Sequence, residues 1–135
     1  MAVNAVIFHS QGQARTAASV AAELDVPVTL VSSPGAARIL GPGWFREIVA
    51  RIRGEVPQAR LSAYLDCADY PGDVLEAFRA PVPGVIFTGA AEAAARLREM
   101  AEARGITFLD SRPAALDLLD SRDPEELCRS WFLSR

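Results

Sequence analysis

The sequence predicts an α/β fold, and three observations lead to that class. Short apolar runs alternate with longer segments of helical period, the strand-like runs occur five times, and no sequence repeat relates them. Strands separated by helices form parallel sheets that are covered on both faces. Right-handed crossovers leave few topologies, and the first is a flavodoxin-like three-layer α/β/α sandwich with a mainly parallel five-stranded sheet. A fragment of a (β/α) barrel is a weaker choice, because five units cannot close one.

The first half of the chain predicts two strands and three helical segments. Residues 3–8 are an apolar run typical of a buried strand, and residues 28–31 form a second one. Between them, Ser10 and Gln13 fit a capping box that begins a helix. Residues 36–40 predict a short turn or helical stretch. After the Gly-Pro-Gly sequence at 41–43, apolar side chains at helical spacing predict a further helix.

The second half predicts three more strands, at about 60–65, 85–87 and 106–109. A short helix follows the Pro-Gly pair at 71–72, and residues 90–104 form the most regular helical pattern of the chain. Residues 113–119 predict a helical piece. The final helix has Asp123 as its N-cap and Pro124 at its first position.

Composition excludes several chemistries. The basic residues are 14 arginines without a lysine, so no Schiff-base, pyridoxal-phosphate or Walker-type lysine is available in this chain. A net charge of −3 argues against nucleic acid and anionic membranes as partners. No apolar run reaches the roughly 18 residues of a membrane-spanning helix, and no signal-peptide pattern opens the chain. Cys67 and Cys128 form no CxxC pair, which indicates a reduced, cytoplasmic setting with two free thiols. The length of 135 residues predicts a single domain over residues 1–135.

Candidate functional residues follow the predicted strands, because parallel α/β sheets bind ligands at the carboxyl ends of their strands. Helix N-termini also favour Ser, Asp and Thr for capping alone. The candidates at this edge are His9, Ser10, Ser33, Asp66, Cys67, Asp69, Thr88, Asp110 and Arg112.

Three of these candidates have a catalytic interpretation and a structural one. His9 suits a general base or a partner of Asp66, but a strand-end histidine bonded to the backbone is the commoner case. Cys67 suits a nucleophile with His9 as its base, although small buried cysteines are more common. Asp66 with Asp69 is a weak metal signal without a third ligand. The sequence therefore predicts no metal site and no cofactor.

Anion binding is the alternative use of this edge. Gly12, Gly35 and Gly89 lie where predicted helices begin, so backbone amides there are open to a small anionic ligand. None belongs to a dinucleotide-binding or P-loop motif. Arg112 would supply a fixed positive charge, because an arginine does not lose its proton in proteins.

Two aromatic segments lie away from that edge. Leu127 and Trp131 share a helical stripe that predicts core positions, whereas Trp44 and Phe132 point elsewhere and are predicted to be exposed. Exposed aromatic residues on a small domain often mark a partner surface. A homodimer through Trp44, Trp131 or Phe132 is therefore the expected protein partnership.

The order of strand-end residues resembles that of a response-regulator receiver domain. Asp66 follows the third strand, where receivers carry the phosphoacceptor, and Thr88 follows the fourth, where they carry a hydroxyl. Arg112 and Pro113 replace the Lys-Pro pair of receivers, and His9-Ser10 replaces their magnesium-binding acidic pair. The resemblance implies the fold by analogy and, for function, a degenerate receiver-like domain.

Because no catalytic motif is complete, the sequence favours a non-catalytic binding or regulatory module. The alternative is a small hydrolase or transferase that uses His9 with Asp66 or Cys67.

Overall fold

The computed structural model describes residues 3–134 and contains six strands and six helices within them. The strands are β1 (Ala5–Ile7), β2 (Val28–Val31), β3 (Leu61–Asp66), β4 (Gly84–Ile86), β5 (Thr107–Leu109) and β6 (Ala115–Asp117). The helices are α1 (Gln11–Leu24), α2 (Ala36–Leu40), α3 (Pro42–Glu55), α4 (Pro71–Arg79), α5 (Ala91–Ala103) and α6 (Pro124–Leu133).

The predicted α/β class is confirmed: the strands form a parallel sheet flanked by helices, consistent with a flavodoxin-like sandwich. The sheet order is β5-β4-β3-β2-β1-β6, so it has six strands and not the five that were predicted. The additional strand is β6, which lies in the segment predicted to be helical. Alanine and leucine are among the best helix formers, but tertiary context often overrides helix propensity, and here the pairing with β1 does so.

The chain divides into two compact units. The first comprises residues 1–31, 48–62 and 113–135. In its described part, β1 lies between β2 and β6 and is parallel to both, with Ala5 opposite Thr29 on one side and Ala115 on the other. Helices α1 and α6 pack together. The alanines of α1 that are fully buried, such as Ala17 and Ala21, permit close helix packing.

The second unit comprises residues 32–47 and 63–112, and its central strand is β4. This strand pairs in parallel with β3 and β5, so that Val85 lies opposite Leu65 and Phe108. Helix α4 packs against α5 and α2. Gly84 permits a close approach of β4 to β3, because a Cβ atom at this position would lie 2.6 Å from the carbonyl oxygen of Ala63.

The predicted start of α6 is confirmed, since the Asp123 carboxylate accepts a hydrogen bond from the Glu126 amide. Its predicted buried face is wrong. Phe132 was expected to be exposed and is only 4% exposed, whereas Leu127 was expected in the core and is 41% exposed. Trp44 and Trp131 are both partly buried. No helix within residues 3–134 is long and apolar enough to cross a membrane.

Candidate functional site

Asp66 is the last residue of β3, and its carboxylate is 2% exposed. Its Oδ1 atom accepts hydrogen bonds from the backbone amides of Gly35 and Ala68, both at 2.8 Å. Both donors have positive φ angles, 71° at Gly35 and 51° at Ala68. The loops after β2 and β3 thus point backbone donors at this carboxylate, an arrangement that also binds anionic ligands in proteins.

Arg112 completes this arrangement. Its Nη1 atom donates to Oδ2 of Asp66 at 2.6 Å, and Nη1 and Nη2 both lie 3.4 Å from the carbonyl oxygen of Ser32. The Ser32 hydroxyl in turn accepts from the Asp66 amide at 2.8 Å. Arg112 was expected to offer its positive charge to an anionic ligand, and in the structure it binds the Asp66 carboxylate of the same chain. We refer to Ser32, Gly35, Asp66, Ala68 and Arg112 as the Asp66 cluster.

Cys67 lies next to this cluster and is fully buried. Its Sγ atom donates weakly to the carbonyl oxygen of Leu65 at 3.8 Å. Burial raises the pKa of the thiol to about 12, and the negative charges of Asp66 and Asp73 contribute to that increase. The nucleophilic form of cysteine is the thiolate, so at neutral pH this side chain is a protonated core residue.

The other candidates of the second unit lie at its surface. Asp69, Thr88 and Asp110 are exposed, and Ser33 is partly exposed. The carboxylate of Asp110 forms an ion pair with Arg98 at 3.1 Å. The Thr88 amide donates to the Ala68 carbonyl at 2.8 Å, which joins the loops that follow β3 and β4.

His9 and Ser10 belong to the first unit, directly after β1. The His9 Nε2 atom lies 2.7 Å from Oδ1 of Asp117, the last residue of β6. The same oxygen accepts the Leu119 amide at 2.9 Å. An ionised carboxylate only accepts hydrogen bonds, so Nε2 is the donor in this contact. Asp117 thus fixes the orientation of His9.

Gln13 links the chain after β1 to the chain after β6. Its Oε1 atom accepts from the His9 amide at 2.7 Å, and its Nε2 atom donates to the Leu118 carbonyl at 2.9 Å. Its own amide donates to the Ser10 hydroxyl at 3.1 Å, which confirms Ser10 as the N-cap of α1. We refer to His9, Ser10, Gln13, Asp117 and Leu118 as the His9 cluster.

Sequence reasoning missed Asp117 as the partner of His9. The segment that contains Asp117 reads as a helix, and this interpretation removed it from the strand ends where candidates were sought. No local signal identifies this strand, because its conformation is set by pairing with the distant β1.

The His9 cluster is partly open to solvent. The His9 side chain is 24% exposed and that of Asp117 is 50% exposed. The first turn of α1 contains no acidic residue. The amides of Gln11 and Gly12 precede the first intrahelical hydrogen bonds, and a helix N-terminus attracts anions through such groups.

Within the described residues, no group of three or more His, Cys, Asp or Glu side chains is arranged to hold a metal ion. No protein-family model matches the chain, and no curated protein is significantly similar to it.

Proposed function

We propose that this chain is a non-catalytic binding or regulatory module that holds a small anionic ligand beside His9. The observation that carries the proposal is the His9 ring, oriented by Asp117 at 2.7 Å beside the open N-terminus of α1. A phosphate or carboxylate group on the ligand would accept hydrogen bonds from the amides of Gln11 and Gly12. The imidazole would then contact a second polar group of the ligand.

The state of the other candidates supports binding over catalysis. The Asp66 carboxylate is bonded to Arg112 and two amides, and the Cys67 thiol is buried with a raised pKa. Neither side chain is prepared for nucleophilic attack, which requires an accessible and activated atom.

The test is a titration of the ¹⁵N-labelled full chain with inorganic phosphate at constant ionic strength, followed by NMR. We expect saturable shifts of the Gln11 and Gly12 amides. Gly12→Glu should abolish them, because its carboxylate would occupy the N-terminus of α1. The new side chain has room, since a Cβ atom at Gly12 would contact only the Ser10 hydroxyl, at 3.8 Å. An acidic residue in the first turn also favours the helix, so the variant should fold.

Gly72→Glu is the matched control. Gly72 lies in the first turn of α4, where a Cβ atom would have no neighbour within 4 Å. This variant should bind phosphate like the wild type. The proposal fails if phosphate shifts other amides only, if Gly12→Glu binds normally, or if the two variants lose binding equally.

A second candidate function is acid–base catalysis by the same pair. The 2.7 Å contact between His9 and Asp117 is the geometry in which a carboxylate orients a catalytic imidazole. Asp117 would then be the carboxylate partner of His9, the role for which the sequence suggested Asp66. Turnover in a screen of hydrolase and transferase substrates, lost in His9→Gln, would support this alternative and contradict the binding module.

A receiver-like role is the third possibility, and it requires Asp66 to accept a phosphoryl group. A mass increase of the intact chain after acetyl phosphate treatment, absent in Asp66→Asn, would support that role.

A further inference from the structure

A groove of about 390 Å³ lies between α4 and α5, within the second unit. Apolar side chains of Leu75, Phe78 and Met100 line it, together with the guanidinium groups of Arg79 and Arg104. Leu75 is 37% exposed, so part of its apolar side chain is accessible in the groove. The groove therefore combines apolar lining residues with two positive charges.

The guanidinium of Arg104 contacts a backbone carbonyl and an aromatic ring. Its Nη1 atom donates to the Met100 carbonyl at 3.1 Å, and its guanidinium lies 5.5 Å from the centre of the Phe78 ring. No salt bridge to Arg104 is found among residues 3–134. Arg79 pairs with Glu76 at 2.5 Å, but the two side chains are 74% and 59% exposed. Such exposed pairs are weak and exchange partners at little cost.

Helix ends explain part of this arrangement. Arg79 is the last residue of α4 and Arg104 is the C-cap of α5, where positive charge complements the helix dipole. The dipole accounts for the two cations and not for the open apolar groove between them. An apolar surface flanked by the cations Arg79 and Arg104 is complementary to an apolar partner that carries negative charge.

We propose that this groove docks an acidic amphipathic helix of a partner protein. One apolar side chain of that helix would contact Leu75, Phe78 and Met100, and its flanking carboxylates would pair with Arg79 and Arg104. Helix-in-groove recognition uses apolar anchors at i, i+3, i+4 and i+7 spacing. A helix suits the open groove because its polar face stays in water, whereas pockets for small molecules enclose most of the ligand.

The probe is a synthetic helical peptide of about 18 residues with leucines at that spacing and glutamates on both sides of the stripe. We expect its addition to the ¹⁵N-labelled full chain to shift the amides of Leu75, Phe78, Arg79, Met100 and Arg104. Arg104→Glu should weaken binding by about tenfold or more, a loss typical of a buried interfacial charge pair. The Arg79→Glu/Arg104→Glu variant should instead bind a peptide in which lysine replaces each glutamate.

Arg96→Glu is the matched control, because Arg96 is exposed on the same helix α5 and does not line the groove. It changes the net charge equally and should alter binding by less than about twofold, as expected of a distant surface charge. Circular dichroism and urea titration of each variant establish that it folds. Equal weakening by Arg96→Glu and Arg104→Glu would reduce the interaction to non-specific charge attraction and overturn the proposal.

Binding of a different kind of ligand in the groove would also overturn the proposal of helix docking. Dodecanoate that saturates these amides while the peptide does not would assign a small amphiphile. Binding of phosphatidylglycerol vesicles in place of the peptide would assign a membrane. Concentration-dependent dimers that Arg104→Glu dissolves would assign a second copy of this chain. Shifts of other amides only, or no shifts, would remove the site altogether. Phosphate binding at His9 is read from different amides, so it succeeds or fails separately.

Discussion

Asp66 is a buried carboxylate whose three bonding partners come from three loops. Those partners are the amides of Gly35 and Ala68 and the guanidinium of Arg112. The sequence placed Asp66 and Arg112 at strand ends, because both follow apolar runs. It did not predict the bond between them, since that depends on side-chain directions that strand spacing does not encode. The sequence suggested Asp66 as a catalytic residue and Arg112 as a ligand-binding one, whereas the two form one internal ion pair.

Arg112→Met should lower the free energy of unfolding by about 2–3 kcal/mol, because it leaves a buried carboxylate without its cation. The estimate lies below that for a fully buried pair because the Arg112 side chain is 26% exposed. Urea unfolding measures the change. Arg60→Met is the matched control, since the Arg60–Asp25 pair has side chains that are 58% and 90% exposed. That variant should lose at most about 0.5 kcal/mol. Equal losses in the two variants would contradict a structural role for the Asp66 cluster.

At the scale of elements, the sequence predicted the helix starts better than the helix faces. Asp123 and Pro124 identify the start of α6 through local chemistry. The buried face of α6 is set by how it packs on α1. Two stripes satisfy helical spacing, Leu127 with Trp131 and Cys128 with Phe132, and only the second is buried. A pattern of apolar residues cannot choose between overlapping stripes when the neighbouring helix is unknown.

Strand β6 is the element for which local sequence preference and tertiary pairing disagree. Leu116→Ile should leave stability unchanged or raise it by up to about 0.5 kcal/mol, because a β-branched residue favours a strand. The same change at Leu75 in α4 should lower stability by a few tenths of a kcal/mol, since isoleucine is a poorer helix former than leucine. Both changes conserve volume, and urea unfolding compares them. If the segment were helical in solution, both variants would lose stability.

For the whole molecule, the alternation of apolar runs and helical segments was sufficient to predict the α/β class. The number of strands was not predictable in the same way, because β6 has three residues and no apolar run of its own. Its strand conformation is set by β1, which is more than 100 positions earlier in the chain. Long-range pairing of this kind has no local signal. The sequence correctly placed His9 just after β1, at the carboxyl edge of the sheet. Its partner Asp117 was missed because the sequence did not identify β6, the strand that Asp117 ends.

Both thiols of the molecule are buried, Cys67 in the second unit and Cys128 in the first, and together they should make stability depend on alkaline pH. Burial raises the pKa of Cys67 to about 12 and that of Cys128 to about 11. An unfolded thiol has a pKa of about 8.5. Above that pH the unfolded chain loses these protons and the folded chain keeps them, so their contribution to stability falls until the folded thiols also ionise. Each thiol should steepen the decline by up to about 1.4 kcal/mol per pH unit.

Urea unfolding from pH 7 to pH 11 of the wild type, Cys67→Ala and Cys128→Ala measures this contribution. Alanine fills less space than cysteine, so each variant should be less stable than the wild type at neutral pH. That loss does not depend on pH, whereas the effect of the thiol does. The stability difference between the wild type and each variant should therefore stay constant below about pH 8 and shrink above it. A difference that stays constant to pH 11 would mean that the thiols ionise equally in the folded and unfolded chains, which full burial does not permit.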